Sequence, residues 1–131
     1  MPRMLWPLRG GRPCVEIILV RTSDGQPQVR WLLADTGAAA AHSGFELLMS
    51  LADCVMAGGW AVRPTRLGGA YRGVFSTHVV PVEIPILGFA DRVAVVAANP
   101  PPEFDGIACF PFLNRFTYGN FGDPAAFGLE S

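Results

Sequence analysis

Apolar and polar positions along the chain alternate in short blocks, and most of those blocks have the length and residue types of strands. Residues 14–20 read Cys-Val-Glu-Ile-Ile-Leu-Val, a compact β-branched run that predicts a strand. A polar stretch over 21–28 carries Asp24-Gly25, a turn pair suited to a hairpin. Residues 29–34 form the returning strand, and its last positions are apolar on both faces, as expected of a strand that ends inside a core. It runs straight into Asp35-Thr36-Gly37-Ala38. Beyond the small residues 38–41, Ser43 and Glu46 have the spacing of a capping box, and Phe45, Leu48, Met49 and Ala52 recur at helical intervals. This spacing predicts one short helix over about residues 44–54.

Residues 60–76 read as an extended hairpin with a glycine-rich tip at 68–73. Pro81 and Pro85 place 79–87 at a sheet edge or a bend. Residues 92–98 form another β-branched strand, 112–116 one or two helical turns, and the tail from 118 ends in a short strand. Residues 1–13, with three prolines and two consecutive glycines, read as an N-terminal arm preceding one domain over 14–131. Many short strands, little helix and frequent Gly/Pro punctuation predict a mostly-β domain.

Composition narrows the function. Ten basic and eleven acidic residues give a net charge of −1 with no basic run, so a nucleic-acid partner has no electrostatic support. Half the residues are apolar and only 16% are charged, which leaves apolar surface in want of cover and makes self-association an expectation. The three cysteines, Cys14, Cys54 and Cys109, are odd in number and widely spaced, and neither His42 nor His78 stands at ligand spacing from one of them. Buried free thiols in a reducing compartment fit this better than a zinc site or disulfides. No apolar run is long enough to cross a membrane and no apolar leader is evident, so a cytoplasmic protein without a membrane partner is expected.

The candidate chemistry lies in an acid at the end of an apolar strand. Carboxylates are rarely buried unless paired or hydrogen-bonded. Thr36 adds a hydroxyl to Asp35, and Gly37 permits close approach of another chain or a ligand. Taken alone, Asp-Thr-Gly also makes an ordinary turn. Gly10-Gly11-Arg12-Pro13 lacks the ending of a phosphate loop. His42 and His78 are lone histidines, and nothing in the sequence supports Cys109 as a nucleophile.

In order along the chain stand Leu32-Leu33-Ala34-Asp35-Thr36-Gly37-Ala38, the hairpin around Gly68-Gly69, and Asp105-Gly106-Ile107-Ala108-Cys109 leading into Phe112-Leu113-Asn114. This order resembles the retropepsin-like (retroviral-type) aspartic proteases, in their cellular and bacterial forms, over about residues 14–117. The resemblance implies a single-domain acid-protease barrel with one or two short helices, working as a homodimer on peptide or protein substrates without metal or cofactor. It makes Asp35 the catalytic residue, supported by Thr36, Gly37 and Ala38, with Thr36 bonding across the dimer axis. Gly68, Gly69 and Ala70 become the flap that closes over substrate, and Tyr71 is either a cleft residue or a loop aromatic. No second Asp-Thr/Ser-Gly occurs, since Asp24-Gly25, Asp105-Gly106 and Gly122-Asp123 lack the hydroxyl residue, so one site requires two chains. Cys109 departs from the family, which usually has Gly there. That departure supports the alternative of a weak or inactive dimer acting as a peptide-binding scaffold.

Overall fold

Six strands close into a barrel because each turns apolar side chains toward the same centre. In a computed structural model describing residues 1–20 and 22–131, β2 (Cys14–Leu19) buries Cys14, Val15, Ile17 and Leu19 and leaves Glu16 and Ile18 half-buried. It runs antiparallel to β3 (Gln28–Ala34), from Cys14 opposite Leu33 to Leu19 opposite Gln28. The turn between them holds Gly25 at φ 76°, with its N–H donating to the Thr22 carbonyl; Arg21, the first residue of the expected polar stretch, lies outside the described residues.

β3 then pairs in parallel with β8 (Gly106–Ala108), and β8 lies antiparallel to β4 (Leu47–Met49). β4 is parallel to β7 (Phe89–Ala97), and β7 is antiparallel to the twelve-residue β6 (Gly73–Ile84). β6 returns to β2 at Ile18–Glu83 and Leu19–Val82, which closes the ring. The first part of β6 extends beyond the barrel as a ribbon with β5 (Arg63–Leu67), an edge strand. A second, three-stranded antiparallel sheet joins β1 (Arg3–Pro7), β10 (Ala126–Glu130) and β9 (Thr117–Gly119).

The barrel interior is filled by Ile17, Leu19, Leu32, Leu47, Met49, Val80, Val82, Val93 and Val95, all essentially inaccessible. Helix α1 (Leu51–Gly58) packs Cys54 and Ala57 inward; Ser50 caps it by accepting from the Asp53 N–H at 3.1 Å, and Gly59 ends it at φ 72°. The short α2 (Phe110–Leu113) buries Phe112 and Leu113. Phe112 meets Phe89 and Phe116 at ring separations of 5.7 and 5.6 Å, and burial of a side chain this size contributes roughly 2–3 kcal/mol.

Several local expectations shift. The segment read as an arm contains β1, held by β10 along its whole length. The expected helix over 44–54 forms instead at Leu51–Gly58, and its first half becomes β4, inserted between β7 and β8. Ser43 accepts from the Ala40 N–H and caps no helix, while Glu46 binds Arg115. Residues 79–84 are not a sheet edge: β6 pairs with β7 throughout. Pro81 fits because β5 pairs only up to Thr77 and β2 only from Val82, so one side of β6 has no ladder there. Pro85 does open a turn, Pro85–Leu87.

Candidate active site

Asp35 sits where β3 leaves the barrel, and its backbone is fixed from several directions. The Ala34 N–H donates to the Pro13 carbonyl at 2.9 Å, and the Asp35 N–H donates to the Ala108 carbonyl at 3.0 Å. A tight turn follows, closed by the Ala38 N–H on the Asp35 carbonyl at 3.1 Å. The Gly37 N–H donates to Asp35 Oδ1 at 2.9 Å, which fixes the rotamer of the carboxyl. A side chain at Gly37 would place its Cβ 3.3 Å from that oxygen, so glycine leaves the carboxyl face open. Asp35 is half-buried, whereas Thr36 and Gly37 are exposed.

The next loop is tied to the far side of the barrel. Phe110 N–H donates to the Ala38 carbonyl at 2.9 Å and Cys109 N–H to the Glu46 carbonyl at 3.0 Å. The Glu46 carboxylate receives two bonds from the Arg115 guanidinium, at 2.6 and 2.7 Å, and Arg115 also reaches Asp91 at 2.8 Å. Ala39 holds φ 64°, a left-handed conformation that costs a non-glycine residue about 1 kcal/mol. β8 and β4 approach so closely that a Cβ on Gly106 would lie 2.2 Å from the Leu48 carbonyl oxygen.

Facing this floor is the ribbon of β5 and β6, whose tip is a single 3₁₀ turn over Gly69–Tyr71. Between floor and tip lies a cleft of about 530 Å³, bordered by Asp35, Gly37, Ala38 and Ala39 below and by Leu67, Gly68, Ala70 and Tyr71 above. Phe45, Leu48 and Ile107 supply its apolar wall, with Ser43, Arg66 and Cys109 at its borders. The structure therefore brings Asp35, Gly37, Ala38, Gly68, Ala70 and Tyr71 to one place. Gly69, at φ 63°, and Thr36 do not border the cleft of the single chain. Phe45, Leu48, Arg66, Leu67 and Ile107 were not singled out from the sequence, because nothing in a strand's alternation marks which buried face becomes a cleft wall.

Cys109 is 2% exposed and packs with Leu48, Val96, Ala98 and Ile107 beneath Ala38, Phe45 and Tyr71. Burial, reinforced by the negative charge of Asp35, pushes its thiol up to about 12, so it is a neutral packing group and not a nucleophile near neutral pH. Burial also raises the Tyr71 phenol. His78 stands apart from the cleft: its Nδ1 pairs with the Gly59 carbonyl at 2.9 Å and its Nε2 with Ser76 Oγ at 3.0 Å, which ties the base of the ribbon to the end of α1. Among the described residues no three His, Cys, Asp or Glu side chains gather as metal ligands, and no helix is long and apolar enough to cross a membrane.

The architecture has a solved counterpart. A retropepsin-like aspartic protease from Rickettsia conorii superposes with a TM-score of 0.58 over 97% of this chain and 89% of that one, at 12% sequence identity. The fold is retropepsin-like. No protein-family model and no curated protein matches the sequence. At that identity the likeness speaks for the barrel, the two short helices and the ribbon; the chemistry has to be argued from the cleft.

Proposed function

We propose that the chain is an aspartic endopeptidase whose catalytic centre is completed by Asp35 of a second copy. The observation that carries this reading is the support of the Asp35 carboxyl by the Gly37 N–H at the floor of a cleft roofed by a glycine-tipped ribbon. In this reading Thr36, which is exposed and does not border the cleft of one chain, meets the partner copy.

Two carboxyls brought together across a two-fold axis do not readily both ionise, so the pair retains one proton. The ionised Asp35 accepts a proton from a water molecule as its oxygen bonds to the peptide carbonyl carbon. The protonated partner donates to the carbonyl oxygen, giving a tetrahedral diol. Return of a proton to the peptide nitrogen lets the C–N bond break, yielding a carboxylic acid and an amine. The ribbon tip, with Gly68 and Ala70, closes over an extended substrate and excludes water. None of these steps calls on a metal or an organic cofactor.

Asp35→Asn tests the proposal. The exchange keeps the side chain's shape and removes its capacity to ionise, so cleavage of a peptide library should fall by at least about a thousandfold, with thermal stability and oligomeric state little changed. Cleavage equal to that of the parent chain would end the hydrolase reading. Retained peptide binding by a parent chain that cleaves nothing would favour the scaffold. Cys109 gives that second reading its support, since it fills the floor beside Asp35 with a neutral side chain.

A further inference from the structure

Charge is distributed unevenly around the cleft. From residue 54 to residue 82 the chain carries Arg63, Arg66 and Arg72 and no carboxylate, although acids outnumber bases over the whole sequence. Arg63 and Arg66 lie on β5, one strand of the ribbon, and Arg72 at its tip. Arg63 is engaged by the Gly44 carbonyl. Arg66 and Arg72 have no carboxylate partner among the described residues, whereas Arg3 and Arg30 each have one and Arg115 has two. Among the described residues, Arg66 is the one cation and Asp35 the one anion bordering the cleft, and the remaining wall is mostly apolar. It lies on β5, the free edge of the sheet, where an extended chain can lie alongside it.

We infer that the cleft selects acidic peptides: segments with apolar residues at the cut bond, flanked by Asp or Glu that pair with Arg66 and with the positive field of Arg72. This rests on the hydrolase reading and names its substrate class. An arginine without a counter-charge beside an apolar cavity gains most from a carboxylate, which it binds through two parallel N–H donors. The field of the ribbon steers anionic segments toward the cleft and repels cationic ones. Phe45, Leu48, Leu67 and Ile107 take the apolar side chains next to the bond.

The test uses three peptides that share one apolar core and differ only in flanks of Glu, Gln or Lys. For the parent chain, kcat/KM should follow Glu over Gln over Lys, with about tenfold between the extremes, and the spread should shrink as salt is raised. Arg66→Gln should flatten the order, and Arg66→Glu should reverse it. The same peptides, fluorescently labelled, are titrated by anisotropy against the Asp35→Asn chain, which reads selection without hydrolysis. Equal affinity for Glu and Lys flanks, or an order unchanged in Arg66→Glu, would overturn the inference. Failure of the parent chain to cleave any peptide, with the affinity order intact, would instead remove the hydrolase reading and leave the selection standing.

Discussion

The floor and the roof of the cleft are built to opposite specifications. On the floor, Ala34, Asp35, Ala38, Cys109 and Phe110 all have their N–H groups on backbone carbonyls at 2.9–3.1 Å, and buried side chains lie behind them. At the roof, the tip is closed by two long bonds, Tyr71 N–H to the Gly68 carbonyl at 3.4 Å and Arg72 N–H to the Gly69 carbonyl at 3.3 Å, and its residues are largely exposed. On the proposed function, a carboxyl that meets a second one in a set geometry requires a floor that does not yield. On the same proposal, a ribbon that admits a polypeptide and then covers it requires few bonds and little buried surface. The difference shows what the fold invests in rigidity and what it leaves free.

Glycines separate the two regions most sharply. Gly106 on the floor has the Leu48 carbonyl where a Cβ would stand, and β4, paired with β7 as well as β8, cannot retreat. Gly106→Ala should cost at least about 3 kcal/mol, enough to unfold much of a marginally stable domain. Gly68→Ala at the roof meets nothing within 4 Å and has φ −115°, so stability should change by no more than about 0.5 kcal/mol. Denaturant titration of the two variants checks the pair; equal losses would erase the contrast.

A smaller effect is expected at Arg115, which braces the floor through Glu46. Its guanidinium is about a third exposed, so solvent weakens the pairing, and Arg115→Gln should cost about 1 kcal/mol in a denaturant titration. Arg115→Lys should recover only part of this, because an ammonium cannot reproduce the two parallel bonds to Glu46. Full recovery by lysine would mean that charge alone, without the fork geometry, holds that corner.

A separate test is alkaline. Cys54 and Cys109 are each pushed up to about 12 in the folded chain by burial, whereas unfolded thiols titrate near 8.5. Between those values the folded state holds protons that the unfolded state has lost. The associated stability is complete below the unfolded value and declines as pH rises toward the folded one. Every basic residue is arginine, so no lysine titration overlaps that window. The denaturant midpoint should therefore drop between about pH 8 and about pH 11, and a Cys54→Ala/Cys109→Ala chain should lose less over the same range. An equal drop in that variant would place the titration elsewhere.

Much of this fold is legible in the sequence where one physical rule acts alone. β2, β3 and β7 carry β-branched or apolar runs bounded by turn residues, and the ribbon announces itself through Gly68, Gly69 and Gly73. Legibility fails where two rules compete. Phe45, Leu48 and Met49 repeat at helical spacing, yet Leu47–Met49 is drawn into the gap between β7 and β8, and burying all three residues there outweighs continuing a helix. A three-residue strand also has too few positions to show a period. β1 is hidden in the sequence because Pro2 precedes it and Pro7 ends it, and only its pairing with β10, more than a hundred residues away, makes it a strand. The position of Asp35 at the exit of β3 is legible because an acid ending an apolar strand conflicts with burial. The cleft wall is not, since Phe45 and Ile107 follow the same pattern as any core residue.

The central claim is that one centre uses Asp35 from two chains. Subunit exchange between the parent chain and Asp35→Asn tests it most directly, with cleavage measured after equal amounts have mixed to equilibrium. If both carboxyls are required, only pairs of parent chains work, and activity per parent chain should fall to about half, leaving about a quarter of the activity of the same total protein. Activity of about half that total, proportional to the parent chain present, would mean that each chain works by itself and would contradict the shared centre.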